Sequence, residues 1–243
     1  MLEALAHFGP HQQELRRRLI HSCLALAGTS SLAYLIKDQI VSWCMRPLTL
    51  AYPQLGKLVY TNLPEAFLSY IKVSLLVGLM VSFPYLLLQL WLFVVPGLLE
   101  EEKRTLRRIL LWSTGLFAGG AVFAFWVVLP RTLHYFMSFA TPQLQPMLKL
   151  GLYLTFTGRL ILAFGIAFEI PFLMVMVIRA GLLDHDHFRK KRLYFYSAIV
   201  VLSFLLTAGD ITATILLAVP LFGLYEAGIL AGRLFARPAK APA

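Results

Sequence analysis

Charge is scarce in this chain. Charged side chains make up only 14% of its 243 residues, where an ordinary soluble domain carries about 25%. That shortage excludes a disordered segment, which needs charge and low hydrophobicity to stay unfolded. Cysteine is nearly absent, with Cys23 and Cys44 the two thiols. Both fall on the first predicted helix or its exit, too far apart to pair, so no disulfide scaffold is expected. Glycine has no three-residue period, which excludes a collagen-like chain. No zinc-protease helix motif, phosphate-binding loop or pair of intramembrane aspartates occurs, so no catalytic centre and no cofactor are expected. No internal repeat is visible, which argues against inverted-repeat transporters.

What is present is apolar surface. Hydrophobic residues make up 59% of the chain and the mean hydropathy is +0.74. A soluble fold of this size cannot hide that much, because surface-to-volume scaling leaves too much outside. A bilayer can act as the outer solvent instead. The expected fold is therefore all-α: a polytopic membrane protein forming one transmembrane domain over residues 1–243. Six apolar segments carry it, at residues 19–36, 73–99, 109–130, 152–178, 193–206 and 211–225. Pro84 and Pro96 lie in the second and can kink or end its helix; Pro130 closes the third. The last two are short: fourteen residues reach only about 21 Å, against a hydrocarbon core of about 30 Å. Asp210 is placed to cap the sixth. The external stretches 37–65 and 131–151 carry apolar residues between prolines and predict short helices on the membrane face.

The net charge of +10 would suggest nucleic acid in a soluble protein. Here the cations fall between apolar runs, so they report topology, and no nucleic-acid partner is expected. With six spans, one side receives fifteen Lys and Arg and the other five. The positive-inside rule then puts both termini in the cytoplasm, with residues 1–18 as an N-terminal segment and 233–243 as a tail. The first apolar run follows Arg16-Arg17-Arg18 and has no cleavage-site pattern, so it reads as a retained span.

The acids are few enough to weigh singly. Glu14 and Arg18 have the four-residue spacing of a helical ion pair beside the first span. Glu100-Glu101-Glu102 precedes Lys103 and Arg104 on the cytoplasmic side, where a solvated helix start is the plain reading. The functional alternative is an acidic site for a cationic ligand, since carboxylates accept two parallel bonds from a guanidinium fork. Glu169 lies within the fourth apolar segment, just before Pro171. A carboxyl at that depth costs about 2.5–3.5 kcal/mol on insertion scales, so it must be neutral, paired or facing water. Arg159 is about 15 Å away along the helix and is not its direct partner. Asp184-His185-Asp186-His187 has metal-binding residue types without supporting ligands, and a solvated loop is expected there, with no metal.

Taken together, several segments resemble the TatC family of the twin-arginine protein translocase. They are Glu14-Leu15-Arg16-Arg17-Arg18, Arg46-Pro47-Leu48, residues 89–98 (QLWLFVVPGL), Glu102-Lys103-Arg104, residues 119–130 (GGAVFAFWVVLP) and residues 164–171 (FGIAFEIP). Residues 189–192 (RKKR), Leu205-Leu206-Thr207 with Asp210, and residues 217–220 (LAVP) with Glu226 complete the set. They cover nearly the whole chain in the family's order. The resemblance implies a concave, multi-pass receptor in the cell inner membrane. It would bind twin-arginine signal peptides and export folded proteins on the proton-motive force, with single-span TatA and TatB partners, membrane lipid and self-association. By matching position, Glu14, Glu102, Arg16, Arg18 and Lys103 would form the signal-peptide site. Glu169 would be the intramembrane polar residue, and Thr207, Asp210, Thr214 and Glu226 the partner contact. This chain has Ala208-Gly209 where the family often has Pro-Pro, and Thr214 where it often has glutamine.

Two other classes fit less well. A proton-coupled secondary transporter of a small solute would use Glu169 as a relay, yet the chain lacks repeats and further midplane acids. A membrane enzyme would need the catalytic cluster that is absent. A receptor for paired arginines needs carboxylates on the cytoplasmic face, and no cofactor.

Overall fold

The structure, a computed structural model, describes the backbone of residues 2–52, 58–59, 62–94, 100–141, 147–179, 185–207 and 211–235. Side chains are described within those ranges except at 2–11, 63, 91, 94, 100–107, 179, 185, 206, 212–213, 216 and 234–235. Among the described residues the regular structure is helical. The order is α1 (Leu2–Leu35), α2 (Lys37–Ala51), α3 (Leu63–Val94), α4 (Glu100–Phe123), a π-helical turn (Ala124–Val128), α5 (Leu129–Met137), α6 (Leu150–Arg179), α7 (His185–Lys190), α8 (Arg192–Leu206) and α9 (Ile211–Phe235).

Among the described residues, three stretches are long and apolar enough to cross a bilayer: Pro64–Leu90, Arg108–Met137 and Leu150–Ile178. Gln12–Leu35 and Lys37–Ala51 pass the same test as a pair bent by 79°, and Arg192–Leu205 is a shorter apolar helix. The bend separates α2, which falls in the stretch 37–65 expected to hold a short helix, from the helix before it. Two boundaries differ from the sequence reading. Pro130 does not close the third segment, because the chain passes through the π-helical turn and continues as α5 with Pro130 in its first turn. A proline ring needs extra room against the preceding turn and lacks an N–H, and widening that turn to a π-helix supplies the room. The sixth helix also runs on from Tyr225 to Phe235. Glu226 had marked its apolar limit, but the carboxylate is paired, so the helix continues through it.

The residues expected to form one domain group into two compact units, each assembled from separated segments. Unit 1 comprises Met1–Arg46, Leu58–Gly115 and Leu148–Gly158; unit 2 comprises Pro47–Lys57, Leu116–Met147 and Arg159–Ala243.

In unit 1, α1 lies along α3. Thr29 Oγ1 donates to the Gly78 carbonyl at 2.9 Å. A Cβ on Gly78 would come within 2.6 Å of the Ser30 backbone, so this close crossing requires glycine. Lys37 sits over the Tyr34 ring at 5.1 Å, a cation–π contact worth about 0.5–1 kcal/mol at an exposed site. Val59 pairs with the strand-like segment at Lys149: its N–H donates to the Leu148 carbonyl at 3.2 Å, and Leu150 N–H donates to the Val59 carbonyl at 3.1 Å. The Tyr153 hydroxyl donates to the Cys44 carbonyl at 2.6 Å.

In unit 2, α6 packs on α4. The rings of Phe164 and Phe168 lie 6.0 and 5.6 Å from that of Phe123. A Cβ on Gly120 would meet the Phe164 carbonyl at 2.6 Å, so glycine sets that approach. At the other end, the fully buried Tyr225 of α9 stacks on Phe195 of α8 at 5.0 Å and donates its hydroxyl to the Phe188 carbonyl of α7 at 2.8 Å. A buried tyrosine needs such an acceptor for its hydroxyl.

Candidate functional site

The N-terminal acid sits where helical spacing places it. Glu14 pairs with Arg18 one turn on: Arg18 Nε donates to Glu14 Oε1 at 3.1 Å, and Nη2 donates to the same oxygen. Both side chains keep access to solvent, at 34% for Glu14 and 20% for Arg18. Arg16 and Arg17 are exposed beside them. Glu102 and Lys103 lie in the first turn of α4, but their side chains fall outside the described residues. Glu14 and α4 through Gly115 belong to unit 1.

Glu169 lies on α6 in unit 2 and is only 4% exposed, so its carboxyl is removed from lipid tails. Pro171 comes close to α9, where a Cβ on Gly228 would lie 3.0 Å from the Pro171 Cα. The missing N–H of Pro171 opens the helix ladder beside the acid.

The expected partner residues separate into two groups. Thr207 and Thr214, both buried, share a hydrogen bond of 2.8 Å between their hydroxyls across the end of α8 and the start of α9. Thr207 also donates within its own helix, towards the Ser203 carbonyl at 3.0 Å. Asp210 lies outside the described residues. Glu226 lies more than three helical turns along α9 from Thr214, about 18 Å, at a separate cluster. It accepts from Arg192 Nη2 at 2.7 Å on one oxygen and from the Tyr196 hydroxyl on the other. Arg192 was read from sequence only as part of the basic stretch 189–192, and Tyr196 was not singled out. They lie 34 and 30 positions before Glu226, and no local spacing rule reaches that far.

Among the described residues, no group of three His, Cys, Asp or Glu side chains is placed to hold a metal ion. Among the described residues, the carboxylates Glu14, Glu169 and Glu226 lie on three different helices, α1, α6 and α9. A helical chain with several stretches long and apolar enough to cross a bilayer defines a multi-pass membrane protein.

The chain belongs to the TatC family, the Sec-independent protein translocase proteins, whose sequence model matches residues 10–220. It is 34% identical over 235 residues to the Sec-independent protein translocase protein TatC of Desulforapulum autotrophicum, covering 97% of this chain and 87% of that one. The TatC protein of Aquifex aeolicus is 34% identical over 232 residues, covering 95% and 96%. That of Escherichia coli strain K12 is 31% identical over 225 residues, covering 93% and 87%. A crystal structure described as the twin-arginine translocase receptor TatC superposes with a TM-score of 0.84 at 34% identity, covering 93% of this chain and all of that chain. The protein is thus a multi-pass membrane component of a translocase, in a family that is not one of enzymes, and the small-solute transporter reading finds no support.

Proposed function

We propose that this chain is the receptor for twin-arginine signal peptides and the core subunit of a translocase that exports folded proteins, powered by the proton-motive force and completed by single-span TatA and TatB subunits. The observation that carries it is the match over 93% of the chain to a solved structure described as a twin-arginine translocase receptor. The half-exposed Glu14 carboxylate supports the binding site, because it remains reachable by an incoming guanidinium. Glu102, with Lys103 beside it, is its proposed companion; Arg16 and Arg18 hold the surrounding charge. The buried Thr207–Thr214 pair and Asp210 mark the proposed partner contact at one end of α8, and Glu226, beside Arg192, extends it to the other.

The deciding experiment is crosslinking of an Arg-Arg signal peptide to purified protein in membranes. Capture should be lost when the pair is Lys-Lys, since lysine cannot make the bidentate contact; equal capture refutes the reading. The proposed topology has six spans with both termini cytoplasmic. Reporters fused at Tyr52 and Gln145 should read external and one at Asp184 internal, and the opposite result at any of the three refutes it.

Glu169 is proposed as an intramembrane docking point for a single-span helix carrying a polar residue. Glu169→Ala should insert normally and still bind signal peptide, while export and TatA crosslinking near α6 weaken. Normal export together with normal TatA crosslinks would show that the acid is tolerated and has no docking role.

A further inference from the structure

In unit 2 the π-helical turn, α5 and α9 leave a groove of about 410 Å³. Its walls are Phe123, Val127, Val128, Ile215, Val219 and Pro220, and Arg131 and Tyr135 stand at the α5 end. The π-helical turn, just ahead of Pro130, supplies Val127 and Val128 to the groove wall. The α5 helix is two-faced. Leu129, Thr132, Leu133 and Met137 are buried, while Arg131 is exposed. Arg131 and Tyr135, four residues apart, share one helix face. Arg131 forms no ion pair, and Tyr135 makes ring contacts with Phe136 and Phe139 but no side-chain hydrogen bond, among the described residues. An apolar slot thus ends in an uncommitted guanidinium and hydroxyl at the end of a membrane-crossing stretch.

We infer that this groove holds one anionic glycerophospholipid, its acyl chain between the π-helical turn and α9 and its phosphate on Arg131 and Tyr135. Hydrocarbon alone would fill the slot in any bilayer. The specific element is charge complementarity: a cation without a protein counter-ion at headgroup level selects a lipid of net negative charge over a zwitterionic one. Guanidinium matches a phosphate with two parallel bonds, and a tyrosine hydroxyl at that depth donates a third.

Trp126 lies on the π-helical turn beside the groove and is 64% exposed, so it can report the lipid next to it. The full chain would be prepared with Trp43, Trp91 and Trp112 replaced by phenylalanine and placed in phosphatidylcholine vesicles. Quenching of Trp126 by a minor fraction of dibrominated phosphatidylglycerol is then compared with quenching by dibrominated phosphatidylcholine. The expected preference for the anionic lipid is about fivefold, equivalent to the ~1 kcal/mol that one basic residue contributes near anionic lipid. Arg131→Gln should reduce it to about onefold, whereas Arg131→Lys should keep part of it. Arg131 is exposed, so neither change threatens folding. Excess inorganic phosphate at constant ionic strength should leave the preference intact. Equal quenching by the two lipids, a preference that survives Arg131→Gln, or displacement by phosphate alone overturns the proposal. So does a Trp126 shielded from both lipids, which would assign the groove to a protein partner.

Discussion

Two carboxylates in this chain are each held by an arginine, and they do different work. Glu14 in unit 1 meets Arg18 one turn along the same helix. Its pair ties together nothing that α1 does not already join, so an incoming guanidinium can take the carboxylate without opening the fold. Glu226 in unit 2 meets Arg192 and Tyr196 across 34 and 30 residues of sequence, and its two oxygens bind α9 to α8. Opening that cluster separates two helices. The contrast is between an acid whose counter-ion is local, which leaves it open to the proposed ligand, and one whose counter-ion joins two helices.

The strongest test of this contrast is ligand binding. Glu14→Gln and Glu102→Gln should each weaken affinity for an Arg-Arg signal peptide about 10- to 100-fold, the equivalent of losing one charge-assisted bond. Glu226→Gln should leave that affinity unchanged in the same titration; a comparable loss there would erase the distinction. Stability should show the reverse order. Glu226→Ala should cost about 1–2 kcal/mol in thermal unfolding in detergent, a figure kept low because both ionic partners are about two-fifths exposed. Arg18→Gln should change the same measurement by less than about 0.5 kcal/mol, as expected for an i,i+4 pair within one helix. If Arg18→Gln were the more damaging, the N-terminal pair would be a structural element.

The helices were legible because bilayer physics writes them as long apolar runs. The segments at 73–99, 109–130 and 152–178 correspond to three described stretches long and apolar enough to cross a bilayer. Helix ends were harder to read wherever a polar signal was answered elsewhere in the molecule. Pro130 looked like a stop, but the π-helical turn absorbs its ring. Glu226 looked like the limit of an apolar segment, but Arg192 and Tyr196 satisfy it. The Val59–Lys149 pairing left no local mark at all, since Val59 and the residues flanking Lys149, Leu148 and Leu150, supply only backbone to it. At the candidate site, the Glu14–Arg18 pair followed from spacing, and the depth of Glu169 followed from its apolar flanks. The link between Thr207 and Thr214 depended on how α8 and α9 meet, which hydropathy does not encode.

The interleaving of the two units bears on how the chain is made. Unit 1 is complete only when residues up to Gly158 have been synthesised, out of 243, and by then two segments of unit 2 have already emerged. The α1–α3 crossing at Gly78 can form early, but Val59 must wait for Lys149. Closing so long a loop adds little entropy cost beyond that of a shorter one. What it imposes is an order of events. A ribosome releasing this protein must leave the Val59 segment unpaired through ninety further residues of elongation, and that interval is the natural window for insertion factors or chaperones to engage the nascent chain.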